Sequence, residues 1–150
     1  MGALEELPGK YPLIYRAYQR PRRYPRAVIA HRGLECGEGW CAIVDEISAW
    51  LEVESVKLKA TGKRCPMVRQ VKEKFGGLRF YVEHLPKSLR EEFAIRETKA
   101  MRQSMETCER CGETGRHYTD GWHRTLCATH EHEYQTRQQL RLNAKSTSSV

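Results

Sequence analysis

Cys108-Glu109-Arg110-Cys111-Gly112, answered downstream by Thr125-Leu126-Cys127-Ala128-Thr129-His130, decides how the last third of this 150-residue chain folds. Cys-x2-Cys puts two thiolates on one tight turn, within reach of a single ion. Gly112 lets the chain turn so that backbone N–H groups point at the sulfurs. The second pair opens a helix predicted over 128–142. Residues three apart on a helix differ by about 60° in azimuth, so Cys127 and His130 share a face. His132 stands about 140° from Cys127 and is a poorer ligand; His117 and His123 are the alternatives to His130. Glu131 and Glu133 suit the positive end of that helix.

Between the two pairs, Arg116-His117-Tyr118-Thr119 and Trp122-His123-Arg124-Thr125-Leu126 flank Asp120-Gly121, a hairpin signal. Knuckle, hairpin and a ligand pair opening a helix make the treble-clef arrangement. Three thiolates and one imidazole select Zn2+ in a closed tetrahedron. Cys108, Cys111, Cys127 and His130 are thus expected to hold one structural zinc. A closed site leaves no position for an activated water, which argues against zinc hydrolase chemistry. The competing reading is that the Cys pairs share a reduced surface loop by chance. Energetics favour the metal: few apolar residues follow position 107, chiefly Tyr118, Trp122, Leu126, Tyr134, Leu140 and Leu142. So short a segment rarely folds without a staple, and structural zinc supplies ~10–16 kcal/mol of apparent binding free energy.

Working outward, residues 87–106 read as a bridging helix, with Ser88 able to cap it and Glu91 and Glu92 in its first turn. Leu89, Phe93, Ala100, Met101 and Met105 give it a narrow apolar stripe. Residues 65–83 read as a hairpin. Val68 and Val71 lie in its first arm, Leu78, Phe80 and Val82 alternate in the second, and Phe75-Gly76-Gly77 supplies the turn. The run from Lys72 to Phe80 has the basic, glycine and aromatic ingredients of an RNA-recognition strand in the wrong order for that motif. Trp40, Ile43, Val44, Ile47, Trp50 and Leu51 recur at helical spacing, predicting an amphipathic helix over about 40–52 with its Trp pair in the core. Further upstream, four prolines break the pattern. A short helix over 12–19 and a short strand over 26–30 are predicted. The fold class is therefore α+β: a small antiparallel sheet with packed helices plus a C-terminal treble-clef zinc knuckle. It divides into an α+β domain (1–107), a zinc module (108–143) and a frayed tail (144–150).

Composition restricts function. Apolar residues are 39% and charged residues 30%, so the core is lean but real. No window reaches the ~18 apolar residues of a membrane span. The N-terminus has neither the basic nor the apolar region of a secretory signal, so a cytoplasmic protein is expected and clustered Cys point to metal rather than disulfides. Net charge is +7, and Arg16, Arg20, Arg22 and Arg23 crowd one stretch with Tyr18 and Tyr24. Arg among aromatics is what phosphate contact with base stacking requires; the alternative is a solvated surface rich in Arg. A second metal site from His31, Cys36, Cys41 and Cys65 has permissive spacing, but buried free thiols are the commoner fate.

Three stretches taken together carry a resemblance: Cys36-Gly37-Glu38-Gly39-Trp40; Val71-Lys72-Glu73-Lys74-Phe75-Gly76-Gly77-Leu78-Arg79-Phe80-Tyr81; and Cys108-x2-Cys111-Gly112 with Gly121-Trp122 and Thr125-Leu126-Cys127-x2-His130. Over roughly residues 11–133 the chain resembles a family of small bacteriophage and prophage proteins. The resemblance implies a phage accessory protein acting in the bacterial cytoplasm on a host or defence-system macromolecule, and brings no activity with it.

Two function classes follow. The first is a zinc-stabilised binding module without catalysis, whose target is a host or defence protein, or nucleic acid reached through the Arg/Tyr stretch. The second is a metal-dependent nuclease. Leu126-Cys127-x2-His130-Glu131-His132 is superficially similar to the C-terminal part of His-Asn-His nucleases. Those enzymes need a general-base His beside an open metal site. Here His117 and His123 have no adjacent His or Asp, and no suitable Asn precedes Leu126. No phosphate-binding loop, nucleophile elbow or His-Glu-x-x-His is present.

Overall fold

The computed structural model describes residues 2–149. Its elements are α1 (Ala3–Lys10), α2 (Arg16–Gln19), α3 (Ile29–Arg32), α4 (Cys41–Ala60), β1 (Met67–Lys74), β2 (Gly77–Glu83), α5 (Arg90–Ser104), β3 (Arg116–Tyr118), β4 (Arg124–Leu126) and α6 (Ala128–Thr147). The class is α+β, with two two-stranded antiparallel sheets, β1-β2 and β3-β4.

The core lies between α4 and the β1-β2 hairpin. From α4 come Val44, Ile47 and Leu51, preceded by Trp40; from the sheet come Val68, Val71, Leu78 and Phe80, all buried. The apolar residues of α4 recur every three or four positions; in β2 Leu78 and Phe80 alternate, and in β1 a bulge between Val68 and Gln70 brings Val68 and Val71, three apart, to the same face. Each element can thus bury one face against the other. Helix α5 covers β2 through Phe93, Ala100 and Ser104, and the Leu78 N–H donates to Ser104 Oγ at 2.8 Å. Trp50 lies at the edge of this core, with the Arg96 guanidinium 4.8 Å over its ring.

The N-terminal 35 residues wrap this core rather than trailing from it. Leu4, Leu7, Ile14, Tyr15, Ala17 and Ile29 are buried. Helix α4 ties the wrap down: Glu52 accepts the N–H groups of Leu13 and Ile14 at 3.0 Å each, and Ser48 Oγ meets the Tyr15 hydroxyl at 2.8 Å. Such bonds satisfy turn donors that burial would otherwise strand.

Several boundaries differ from the sequence expectations. Helix α4 continues to Ala60, where Thr61 and Gly62 stop it. The helix expected over 12–19 is confined to Arg16–Gln19, while α1, with Pro8 inside, has no counterpart among the expected elements. The strand expected over 26–30 does not form: Ala27 and Ile29 are buried by a turn and the one-turn α3, where burial overrides the β-branched preference. Ser88 does not cap α5; it sits in a single 3-10 turn over Lys87–Leu89, and Leu89 takes the cap position. Residues 144–147, expected to fray, continue α6.

Candidate metal centre and basic cleft

Cys108 and Cys111 lie on the knuckle between α5 and β3, Cys127 caps α6, and His130 sits in its first turn. Gly112 closes the knuckle at φ 82°, donating its N–H to the Cys108 carbonyl at 2.9 Å. These four side chains converge: their ligand atoms all lie within 4.8 Å of one another, so the cluster could hold a metal ion. His130 presents Nδ1, which is 3.3 Å from both Cys108 Sγ and Cys127 Sγ; Cys111 Sγ and Cys127 Sγ are 3.8 Å apart. Burial acts to raise the Cys108 thiol, but backbone N–H groups of Cys127 and Cys111, the His130 ring and the Arg110 N–H together hold it down at about 6. A thiol so placed is a ready thiolate ligand.

The module is docked, not tethered. The Gly39 N–H donates to the Glu109 carbonyl at 2.8 Å, the Gly37 N–H to Glu109 Oε1 at 3.0 Å, and Trp40 Nε1–H to the Thr107 carbonyl at 2.8 Å. A Cβ on Gly39 would overlap the Cys108 carbonyl oxygen and lie 2.6 Å from Gly112 N. On the other side the Thr125 hydroxyl donates to the Gly76 carbonyl at 2.6 Å. A Cβ on Gly76 would stand 2.7 Å from His117 Nδ1. Residues 36–40, residues 71–81 and the knuckle with its ligand helix therefore meet at one place, and close approach accounts for Gly37, Gly39 and Gly76, whereas nothing stands within 4 Å of a Cβ on Gly121.

The keystone missed by sequence reasoning is Arg124. Its side chain is only 5% exposed and pairs through two nitrogens with Glu131, Nε to Oε2 at 2.7 Å. Its Nη1 also donates to the Asp120 and Trp122 carbonyls at 2.9 and 2.8 Å, and its guanidinium lies 4.1 Å from the centre of the Tyr134 ring. Glu131 thus serves a specific partner beyond the helix dipole, and Glu133 likewise bonds Arg110 at 2.6 Å. No short-range signal links residues 124 and 131 across the strand–helix junction.

The remaining expected ligands do not assemble. Among the described residues the Cys108 cluster is the one group of three or more metal-ligating side chains that converges. His31 Nε2 is engaged at 2.7 Å with the Pro25 carbonyl, and Cys65 Sγ with the Ser55 carbonyl at 3.3 Å. Burial pushes the Cys36 thiol up to about 12. His117 Nδ1 contacts Thr125 Oγ1 at 3.2 Å, and His123 packs edge-on to Phe75.

Of the Arg/Tyr stretch, Arg16, Arg20, Arg23 and Tyr24 line one cleft of about 710 Å³, joined there by Lys59 and Arg64. No carboxylate lines it. Arg16 forms its floor, donating at 2.7 Å each to the carbonyls of Leu13, Pro66 and Cys65. Among the described residues Arg20, Arg23, Lys59 and Arg64 make no salt bridge. Arg22 and Tyr18 lie outside the cleft, both exposed. Among the described residues no helix is long and apolar enough to cross a membrane. Compared with protein families, curated proteins and solved structures, the chain matches none.

Proposed function

We propose that this chain is a non-catalytic nucleic-acid-binding protein, that one structural Zn2+ holds its C-terminal module, and that it acts as a phage accessory protein in the cytoplasm of a bacterial host. The cleft carries the functional reading: five cations and Tyr24 around about 710 Å³, with no carboxylate among the lining residues. Like charges gathered without counter-charges repel one another, and a polyanion relieves that repulsion. Arg20, Arg23, Lys59 and Arg64 would contact phosphates, Arg16 would hold the floor, and Tyr24 would offer a ring to a sugar or base. The bacterial setting rests on the resemblance of the three stretches.

The zinc reading rests on distances. A tetrahedral ion with ~2.3 Å bonds to sulfur and ~2.0–2.1 Å bonds to nitrogen implies S···S edges of ~3.8 Å and S···N edges of ~3.5 Å. One S···S edge is 3.8 Å and two S···N edges are 3.3 Å, and all six edges lie within 4.8 Å. A Cys3His set favours zinc and completes its coordination, which leaves the ion a scaffolding part.

The test pairs metal analysis with binding. About one zinc per chain is expected, and Cys111→Ser should leave protein that is insoluble or protease-sensitive beyond residue 107. Labelled DNA and RNA oligonucleotides should bind with affinity that falls steeply with salt. Arg20→Ala and Arg23→Ala should each lower the slope of log K against log salt by about one. A cooperatively folded chain free of zinc would overturn the first half. Salt-independent binding, or nuclease-resistant capture of a protein in place of nucleic acid, would overturn the second. Metal-dependent plasmid nicking abolished by His123→Ala would make the chain a nuclease.

A further inference from the structure

Phe75 and Trp122 are 63% and 71% exposed, although aromatic rings of this size are usually placed to bury area. They come from different hairpins, Phe75 from the β1-β2 turn and Trp122 from the β3-β4 turn, and line one cleft of about 450 Å³. Lys72, Glu73, Lys74 and His123 complete its polar wall. Lys74 Nζ lies 5.4 Å from the Phe75 ring centre, and Lys72 Nζ 6.0 Å from that of the half-exposed Tyr81. Glu73, the one carboxylate lining the cleft, is engaged within its own turn, where Oε1 accepts the Gly76 N–H at 2.7 Å.

Two features mark these rings as held for a ligand. Phe75 has φ 55° in a two-residue turn between Lys74 and Gly77, a position that favours Asn, Asp or Gly. A bulky residue there is strained, and with its ring in solvent the strain is not offset by burial. Trp122 stands on a rigid mount, because Arg124 grips the carbonyls on both sides of Gly121. Docking of Thr125 and His117 against Gly76 then fixes the two hairpin tips relative to each other.

We propose that this cleft is a stacking site for unpaired bases of a single-stranded nucleic acid, with Phe75 and Trp122 offering ring faces and Lys72 and Lys74 contacting the flanking phosphates. The proposal deepens the nucleic-acid reading above and rests on it. Rings interleaved with cations, and no aliphatic side chain in the lining, match bases on a phosphate chain better than an apolar protein face. Duplex bases have their faces covered by their neighbours, so the site discriminates for single strands. The chain would then hold two elements, a cationic cleft indifferent to strandedness and a stacking cleft that is not.

The test uses the zinc-loaded 150-residue chain with a twelve-nucleotide oligothymidylate and the matching dT·dA duplex. Trp40 is buried and Trp50 half-buried, so Trp122 dominates solvent-sensitive emission. The single strand should quench it. Phe75→Ala and Trp122→Ala should each weaken single-strand binding by about 5–150-fold while leaving duplex affinity within about twofold. Phe75→Gly should raise the melting temperature by about 2–4 °C while weakening single-strand binding, opposite signs that a purely structural residue does not give. If wild type and these variants bind the single strand equally, the stacking site is refuted and the nucleic-acid reading stands. If the wild type binds neither oligonucleotide, both fall.

Discussion

Gly39→Ala tests whether the metal module is clamped to the body of the protein. The new methyl group would overlap the Cys108 carbonyl oxygen and lie 2.7 Å from the Glu109 carbonyl carbon, against an ordinary separation of ~3.5–4.0 Å. Every clashing atom is backbone, so no side chain can swing aside. The 37–40 loop must withdraw by about 1 Å, which breaks three hydrogen bonds: Gly39 N–H to Glu109 O, Gly37 N–H to Glu109 Oε1, and Trp40 Nε1–H to Thr107 O. At about 1 kcal/mol each the loss is about 3 kcal/mol, a fall in melting temperature of about 6–12 °C for a chain of this size. Metal content should match that of wild type, since the four candidate ligands stay within reach of one another. Gly9→Ala is the control. Gly9 lies in α1, and nothing stands within 4 Å of the place its new methyl group would take, so that variant should melt at or slightly above wild type. Circular dichroism gives the melting temperature, and tryptophan emission read in a Trp122→Phe background, which removes the exposed emitter, reports whether Trp40 stays buried. A Gly39→Ala protein melting within about 1 °C of wild type, with Trp40 emission unchanged, would refute the clamp.

Two further outcomes follow from the side-chain network. Arg124→Met should lower the denaturant midpoint strongly, by about 3–5 kcal/mol in stability, because Glu131 (12% exposed) is left unpaired; Arg124→Lys should not rescue it, since one ammonium cannot span two carboxylate oxygens and two carbonyls. At Asp45, burial acts to raise the carboxyl, but hydrogen bonds from Lys10 and Tyr11 at 2.8 and 2.6 Å outweigh it and hold the group below its usual value. The folded state then binds fewer protons than the unfolded chain, so the contribution is full above the usual carboxylate range and lost as pH falls through it and below. Urea midpoints from pH 6 to pH 3 should therefore decline less in Asp45→Asn than in wild type.

The readable parts of this fold are those where a local period meets its own burial. The α4 spacing from Trp40 to Leu51 and the alternation of Leu78 and Phe80 point correctly to the class and the hairpin. The ligand set is legible because Cys-x2-Cys and Cys-x2-His need only local geometry to converge. What stays hidden depends on distant partners. Helix α1 buries only Leu4, Leu7 and Pro8, too few to reveal a period, and its Leu4 N–H is met by Glu38 from 34 residues away at 3.1 Å. Arg16 looks like a phosphate ligand in sequence and spends three hydrogen bonds on carbonyls. Lys59 from the far end of α4 and Arg64 from the loop after it complete the basic cleft, and charge counts along the chain do not show such an encounter.

The metal module has little with which to hold itself up. Helix α6 buries none of its residues, and Cys108, Arg124, Thr125 and Leu126 are the module's buried side chains. Two sources of order remain: the ligand cluster and the docking against Gly39 and Gly76. They are coupled, because the Cys108 carbonyl that packs on Gly39 and the Thr125 carbonyl that accepts the Glu109 N–H at 3.0 Å sit on the segments that carry the ligands. Loosening the ion should therefore loosen the seat of the β1-β2 turn, and with it the spacing of Phe75 and Trp122. A scaffolding metal in this chain would thus govern binding without touching what is bound, by setting how far apart two hairpin tips stand.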